Sequence, residues 1–320
     1  MQVYKDFDLS QVLWFRIGGK AEYFLQCESR EDVIKALDFV EEHHPKRVFV
    51  CAQGSNLIFT DDYFEGVVIH LTAGKKPQIS FSGTTATAFA GETLDSLIQL
   101  SFNNQLHGLE WAGGLPGTVG AGVRGNVGAF GGEIKDNLFA SEVLEFDDKN
   151  IDVLEMKNED FHFSYRHSIV KEKKNMIITF AQFQLEPADR EQLVKARSVY
   201  AGNKEYRKTH HPLEFPNCGS VFKNIKKPEE VSKIVTVWPD IRSLVKEKWH
   251  GKVSMGYVIN RLGFSGYTIG RAKVSEKHAN FINNLGGATA QDVLTIIKRI
   301  QEMTLETFSV TPEVEVEIVK

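Results

Sequence analysis

The stretch from Ala112 to Glu133, AGGLPGTVGAGVRGNVGAFGGE, places a glycine at every second or third position with few charges between them. Glycine is costly to order and gives a core nothing to bury. A chain that concentrates it this way needs bare backbone in one place. Two features meet that need: tight turns around a domain seam, or a concave run of backbone N–H groups that approaches an anion with no Cβ in the way. Asn126 adds an amide that can donate and accept. The tract alone does not choose between them.

Inside it, Gly120 to Gly125 matches G-x-G-x-x-G, and Glu145 lies about twenty residues on, as a Rossmann fingerprint asks. The context is wrong. That motif follows a buried strand and opens a helix. Here Pro116 and two glycines precede it, and Gly128, Gly131 and Gly132 are expected to break any helix after it, each at about 1 kcal/mol relative to alanine. An NAD-dependent dehydrogenase is disfavoured on this ground. A second loop shifts the balance toward a ligand: Gly54-Ser55-Asn56 ends the apolar run RVFVCA and offers N–H, hydroxyl and amide groups. Two such loops, one in each predicted domain, point to a dinucleotide held in the seam.

Hydrophobic periodicity divides the chain into three α+β parts, predicted at 1–72, 73–206 and 207–320. In the first, a capping box at Ser29-Arg30-Glu31-Asp32 precedes a helix with Val33, Ile34, Leu37 and Val40 on one face. RVFVCA and GVVIHL read as strands. In the second, QISFSG, TTATAF, FASEVLEFDD, IDVLEMK and NMIITFAQFQL read as strands, and Leu94, Leu97, Ile98 and Ser101 keep helical register. Pro187 suits an early position of the following surface helix. In the third, VSMGYVINRLGF and the segment after the Thr289-Ala290-Gln291-Asp292 capping box read as helices. YTIGRAKVS, NFINN and EVEVEIV read as strands.

With 42% hydrophobic and 25% charged residues the composition is that of a globular protein, and a net charge of −4 gives no global pull toward nucleic acid or anionic membrane. Cys27, Cys51 and Cys218 have no C-x-x-C spacing, so a disulfide framework or zinc ribbon is not expected and a reducing cytoplasm fits. The start lacks a basic region followed by an apolar run, and no apolar run is long enough to cross a bilayer. The His43-His44 and His210-His211 pairs have no third ligand at metal spacing, so no metal is expected. The expected state is a cytoplasmic monomer.

FRIGGKAEYF, QGSNLIF, GLPGTVGAGVRGNVGAFGGEI, FSYRHSI, NCGSVFKN, AKVSEKHANFINN and TPEVEVEI occur in this order over nearly the whole chain. In that combination the sequence resembles the UDP-N-acetylenolpyruvoylglucosamine reductase family, in its type II form because the segment after Arg166 is short. The resemblance implies an α+β fold: a two-subdomain FAD-binding fold of the vanillyl-alcohol-oxidase type, plus a C-terminal α+β substrate-binding domain. It implies FAD and NADPH as cofactors and a UDP-sugar as substrate. It also implies a place in peptidoglycan precursor synthesis, and so in cell-wall biogenesis, cell shape, the cell cycle and division. The FAD contacts it implies are Gly54, Ser55, Asn56, Gly114, Pro116, Gly117, Thr118, Gly120, Asn126, Gly128 and Ala129.

The resemblance also implies a hydride passing from NADPH through FAD to the enolpyruvyl group, a proton from Ser220, and charge stabilisation by Arg166 and Glu313. A guanidinium grips a carboxylate at two points. Glu313 would hydrogen-bond the enolate if protonated, or hold Arg166 or water if ionised, and the sequence leaves both open. Lys223, Asn224, Tyr165 and Tyr257 are implied substrate contacts. Arg207, Lys208, His210, His211, Arg261, Arg271 and Lys273 are further cations for a diphosphate. Three departures stand out: Gln53 where many relatives have glycine, Ile225 for a frequent proline, and a long segment from Trp238 to Lys252. The alternatives are an oxidase of the same fold acting on a small alcohol, and a binding module that kept FAD or UDP-sugar affinity without turnover.

Overall fold

Period-two and continuous apolar runs build two sheets in the first part of the chain. In the computed structural model, which describes residues 1–147 and 150–320, the strands Lys20–Cys27, Phe64–Leu71 and Val48–Cys51 pair in parallel, with Gln2–Asp8 at one edge. The helix Arg30–His43 lays Val33, Ala36 and Leu37 on Leu25, Val67 and Ile69 of this sheet. Its cap is half a capping box. Ser29 Oγ accepts from Asp32 N, while the Asp32 carboxylate accepts from Glu28 N.

The second sheet is antiparallel throughout, in the order Ile151–Lys157, Leu138–Phe146, Met176–Gln184, Thr85–Phe89, Ile79–Ser82. Asp148, the last residue of the predicted FASEVLEFDD strand, lies outside the described residues. The helix Leu94–Asn103 buries Leu94, Leu97, Ile98 and Ser101, the register read from the sequence. Pro187 is not helical: it pairs with Leu106 in a two-residue bridge. The long helix begins later, at Arg190, because Asp189 and Gln192 exchange backbone-to-side-chain bonds and form the cap themselves.

In the glycine tract, Gly120 to Arg124 of G-x-G-x-x-G lie in a short helix, Val119–Arg124, capped by Thr118 and ended at Gly125. Past it the chain leaves the helix, as expected of its glycines, and Gly128–Ala129 pairs with Gly132–Glu133 in a hairpin. Close approach overrides propensity here, since a Cβ on Gly120 would stand 2.6 Å from the Ala90 Cβ. The next long strand, Leu138–Phe146, has only antiparallel partners, so Rossmann context is absent.

The C-terminal residues form a core around the helix Ala290–Phe308. Val293, Ile296, Ile297 and Ile300 are buried there with Val258, Ile259 and Ile282. The Thr289–Asp292 capping box is complete, and the Asp61 carboxylate takes Ala290 N and Gln291 N. YTIGRAKVS is a hairpin rather than one strand. Gly270 turns it at φ +53°, between Thr268–Ile269 and Ala272–Val274, and Ile282–Asn284 adds the third strand. Of EVEVEIV only Glu317–Val319 is a strand, parallel to Leu57–Phe59.

Contacts divide the chain into two compact units. The first is Met1–Phe7, Ala21–Gln53 and Tyr63–Thr209; the second is Asp8–Lys20, Gly54–Asp62 and His210–Lys320. Among the described residues no helix is long and apolar enough to cross a membrane.

Candidate active site

In the first unit, the glycines of the tract serve two physically different ends. Gly120 and Gly132 are there for packing: a Cβ on Gly132 would fall 2.4 Å from the Trp111 ring, so the Gly128–Ala129/Gly132–Glu133 hairpin lies flat on the indole. Gly114 and Gly117, at φ +68° and +119°, belong to an open turn. The N–H groups of Gly114, Gly117 and Thr118 take no acceptor among the described residues. Pro116 has no N–H to offer and stiffens the turn. Such N–H donors are what a pyrophosphate requires, and at Gly114 a Cβ would come 3.3 Å from the Lys204 and Arg207 side chains.

Asn126 behaves differently from its neighbours. It is fully buried and spends its carboxamide on Glu133 Oε2, Ser164 O and Lys135 N, at 3.0, 3.0 and 3.1 Å. It welds the hairpin to the turn that carries Tyr165 and Arg166. Arg166 sits in that turn at φ +60°, donates from Nη2 to Gly128 O at 3.0 Å, and lies over the Tyr165 ring.

Arg207 is the electrostatic peculiarity of this unit. Its residue is 7% exposed, Nε donates to Gly113 O at 3.1 Å, and the guanidinium lies over Phe130, which is edge-on to Tyr206. It forms no ion pair among the described residues. Burial, and secondarily the Arg166 charge, pull its pKa down to about 10. Glu133 also feels Arg166. Its burial opposes the charge, but hydrogen bonds from Lys135 and Asn126, with the Lys135 and Arg166 charges, hold its carboxyl below the usual range. Two guanidinium groups beside open N–H donors make an anion-seeking surface.

The second unit gathers the other candidates on one strand segment. Gly54 turns at φ +66° against Leu13, and a Cβ there would meet Leu13 Cδ2 at 2.5 Å. Asn56 Nδ2 donates to Glu315 O, Glu317 N donates to Asn56 O, and Glu315 N donates to Val221 O at 2.7 Å. The turn at Gly54-Ser55-Asn56 and the loop bearing Ser220 thus hang on the same residues. A Cβ on Gly219 would lie 3.5 Å from Ser55 O. Gly219, at φ +78°, lets the chain turn beside it. The Ser220 hydroxyl engages no group among the described residues.

Lys223 and Glu313 face one another. Lys223 N donates to Glu313 O at 2.9 Å, and Lys223 Nζ pairs with Glu313 Oε1 at 2.5 Å. Asn224 Oδ1 accepts from Met255 N and so caps the helix Met255–Arg261, which carries Tyr257. Tyr257 is tied back. Its hydroxyl accepts from Arg261, its ring packs edge-on against Trp249 and Trp238, and Arg261 is held by Asp240. The 238–252 segment therefore clamps this helix. The Ile225 departure belongs with it: Ile225 N donates to Val253 O at 3.1 Å, a bond no proline could make. Asn217 and Asn280, which bracket Ser220, were not singled out by sequence reasoning; their only signal was membership of NCGSVFKN and HANFINN.

Known proteins resemble this chain over nearly its whole length. Residues 211–319 match the UDP-N-acetylenolpyruvoylglucosamine reductase C-terminal domain, and residues 21–151 match an FAD binding domain. The reductase of Latilactobacillus sakei is 36% identical over 315 residues, covering 97% of this chain and 91% of the relative. That of Bacillus subtilis is 33% identical over 304 residues, covering 95% and 89%. Among solved structures, the Thermus caldophilus UDP-N-acetylenolpyruvylglucosamine reductase superposes with a TM-score of 0.73 at 27% identity, covering 100% of this chain and 98% of that one. The fold is α+β, with an FAD-binding domain followed by the reductase C-terminal domain. On identity sustained over nearly its full length, the chain belongs to the UDP-N-acetylenolpyruvoylglucosamine reductase family.

Proposed function

We propose that this oxidoreductase uses NADPH and FAD to reduce the enolpyruvyl group of UDP-N-acetylglucosamine-enolpyruvate, giving UDP-N-acetylmuramate for peptidoglycan synthesis. The observation that carries the reading is the adjacency, within one unit, of Gly219 in the loop bearing Ser220 and the Gly54-Ser55-Asn56 turn, with the Ser220 hydroxyl unengaged among the described residues. The proposed FAD contacts are Gly54, Ser55 and Asn56 with Gly114, Pro116, Gly117 and Thr118. Gly120, Asn126, Gly128 and Ala129 shape the tract around them. Bound FAD supplies the hydride relay between NADPH and the enolpyruvyl methylene carbon.

The protein's own part is to orient, stabilise charge and deliver a proton. As hydride reaches the methylene carbon, negative charge builds on the neighbouring carbon and spreads into its carboxylate. Arg166 meets that charge with a guanidinium already held in place by Gly128 O. Ser220 gives its proton to the carbon and leaves the lactyl ether. A serine hydroxyl is a weak acid, so transfer requires a strongly basic carbon and close placement. Arg207, buried without a carboxylate partner among the described residues, is assigned with Arg166 to the anionic groups of the substrate.

Lys223 is assigned to the substrate as well, and it already holds Glu313. The paired arrangement favours Glu313 acting as a carboxylate that orders Lys223 or water. Tyr165, which lies under Arg166, and Asn224, next to Lys223 in the chain, are assigned to the substrate too, and Tyr257 contributes through the clamped helix. A type II enzyme, acting as a monomer in the cytoplasm, completes the reading. The test is NADPH consumption by the FAD-loaded protein. It should require the enolpyruvyl UDP-sugar; equal consumption with oxygen alone contradicts the proposal in favour of an oxidase.

A further inference from the structure

The structure assigns Asn280, with Asn217, as the positioning residue that presents the Ser220 hydroxyl. This rests on Ser220 as proton donor. Asn280 is 3% exposed, and its carboxamide reads both polar groups of one residue. Oδ1 accepts from Phe222 N at 3.0 Å and Nδ2 donates to Phe222 O at 2.8 Å. Its own carbonyl accepts from Val221 N at 2.8 Å. Asn280 therefore behaves as a one-residue strand partner for the chain just past Ser220. On the other side, Asn217 Oδ1 accepts from Gly219 N at 3.0 Å, and its Nδ2 donates to Pro212 O and Phe215 O.

Between these two amides, Cys218, Val221 and Phe222 are sunk in the core. Gly219 and Ser220 stand half-buried, and Ser220 makes no side-chain bond of its own among the described residues. The frame, rather than any contact of the hydroxyl among the described residues, sets the direction of the Ser220 Cα–Cβ bond, about which the hydroxyl turns among its staggered positions. Only a carboxamide suits Asn280, because the Phe222 peptide needs one donor and one acceptor at once. A carboxylate would set oxygen against Phe222 O and would place negative charge near a carbon that becomes anionic. The neutral amide avoids both.

A built-in comparison separates positioning from general stiffening. Asn284 is equally buried, and its side chain makes four bonds, but to Phe15 O, Arg16 O, Gly286 N and Ala288 N, none of them in the 217–222 segment. The experiment uses FAD-loaded full-length protein without oxygen. Flavin bleaching by NADPH and recolouring by the enolpyruvyl UDP-sugar are followed in H2O and D2O, below the melting temperature of every variant. Asn280→Asp should bleach within about twofold of wild type and recolour about 10–100-fold more slowly, the loss expected for a misplaced reacting group. Its solvent isotope effect on recolouring should rise, because proton delivery becomes limiting.

Asn284→Asp, compared by its drop in melting temperature, should leave recolouring and its isotope effect near wild type. If Asn280→Asp does not fold, Asn217→Asp carries the same expectation, since it keeps the acceptor for Gly219 and loses both donors. Wild-type recolouring in a folded Asn280 or Asn217 variant overturns the inference, as does equal slowing in Asn284→Asp. Ser220→Ala tells which layer fails. If it recolours normally, Ser220 is not the donor and the inference falls with it. If it is slow while Asn280→Asp is normal, the positioning role alone is wrong.

Discussion

Arg207→Met should make the ligand-free protein more stable and the enzyme worse. The Arg207 guanidinium is held charged in a buried place with no carboxylate partner among the described residues, next to Arg166, and its pKa falls from 12.5 to about 10. Both folded and unfolded chains carry the charge at pH 7, so this depression measures a destabilisation of about 3 kcal/mol at about 1.4 kcal/mol per pKa step. Methionine fills similar volume without it. The substitution gives up the bond to Gly113 O, about 1 kcal/mol, and the stacking on Phe130, about 0.5–1 kcal/mol. A net gain of about 1–2 kcal/mol follows, or a rise of a few degrees in Tm. Thermal melts with and without the enolpyruvyl UDP-sugar check it. Wild type should gain stability with ligand, as mass action requires. Arg207→Met should start higher and bind about 10–100-fold more weakly, from the loss of charge-assisted bonds of about 1.5–3 kcal/mol. A variant that melts lower, with an unchanged ligand shift, would make Arg207 a structural residue and refute the reasoning.

Ser220→Ala should still let NADPH bleach the flavin but slow recolouring by substrate about 10²–10⁴-fold, read by stopped-flow absorbance. Gly132→Ala forces a methyl into the Trp111 indole and should lower stability by about 1–3 kcal/mol in denaturant melts. Ile225→Pro removes the donor to Val253 O and should destabilise by at least about 1 kcal/mol in the same assay. Burial lowers the pKa of His70 from 6.5 to about 4, against a hydrogen bond with Ala52 that favours the charged form. Between those values the unfolded chain binds the proton and the folded one does not. The His70 contribution to stability should therefore fall by about 3 kcal/mol as pH drops from 6.5 to 4, and His70→Phe should flatten that part of the profile.

What the sequence made legible was local. Leu94, Leu97, Ile98 and Ser101 share a face because helical spacing alone decides it. Thr289 and Asp292 cap each other because both halves of the motif lie within one turn. What it concealed depends on distant partners. Nothing near Gly120 says that Ala90 will press on it, so the reason for glycine at that position is not legible locally. Asp189 and Gln192 formed a cap that Pro187, a stronger-looking signal, obscured. Asp61 caps a helix that starts at Ala290.

The site followed the same rule. Ser220, Lys223 and Glu313 were named through motifs, but their convergence on one strand segment with Gly54-Ser55-Asn56 is a tertiary fact. Arg207 was one cation among many in the sequence. Its burial between Gly113 O and Phe130 sets it apart. Asn126 looked like a ligand amide because it sits among glycines, yet its carboxamide is consumed by Glu133, Ser164 and Lys135.

A single-turnover experiment bears on the central claim most directly. The FAD-loaded protein is bleached with one equivalent of NADPH without oxygen, then mixed with the enolpyruvyl UDP-sugar, and the products are weighed by mass spectrometry. The account predicts full return of the yellow colour together with one UDP-N-acetylmuramate per flavin. Colour that returns only when air is admitted, with the sugar nucleotide recovered unchanged, would contradict it.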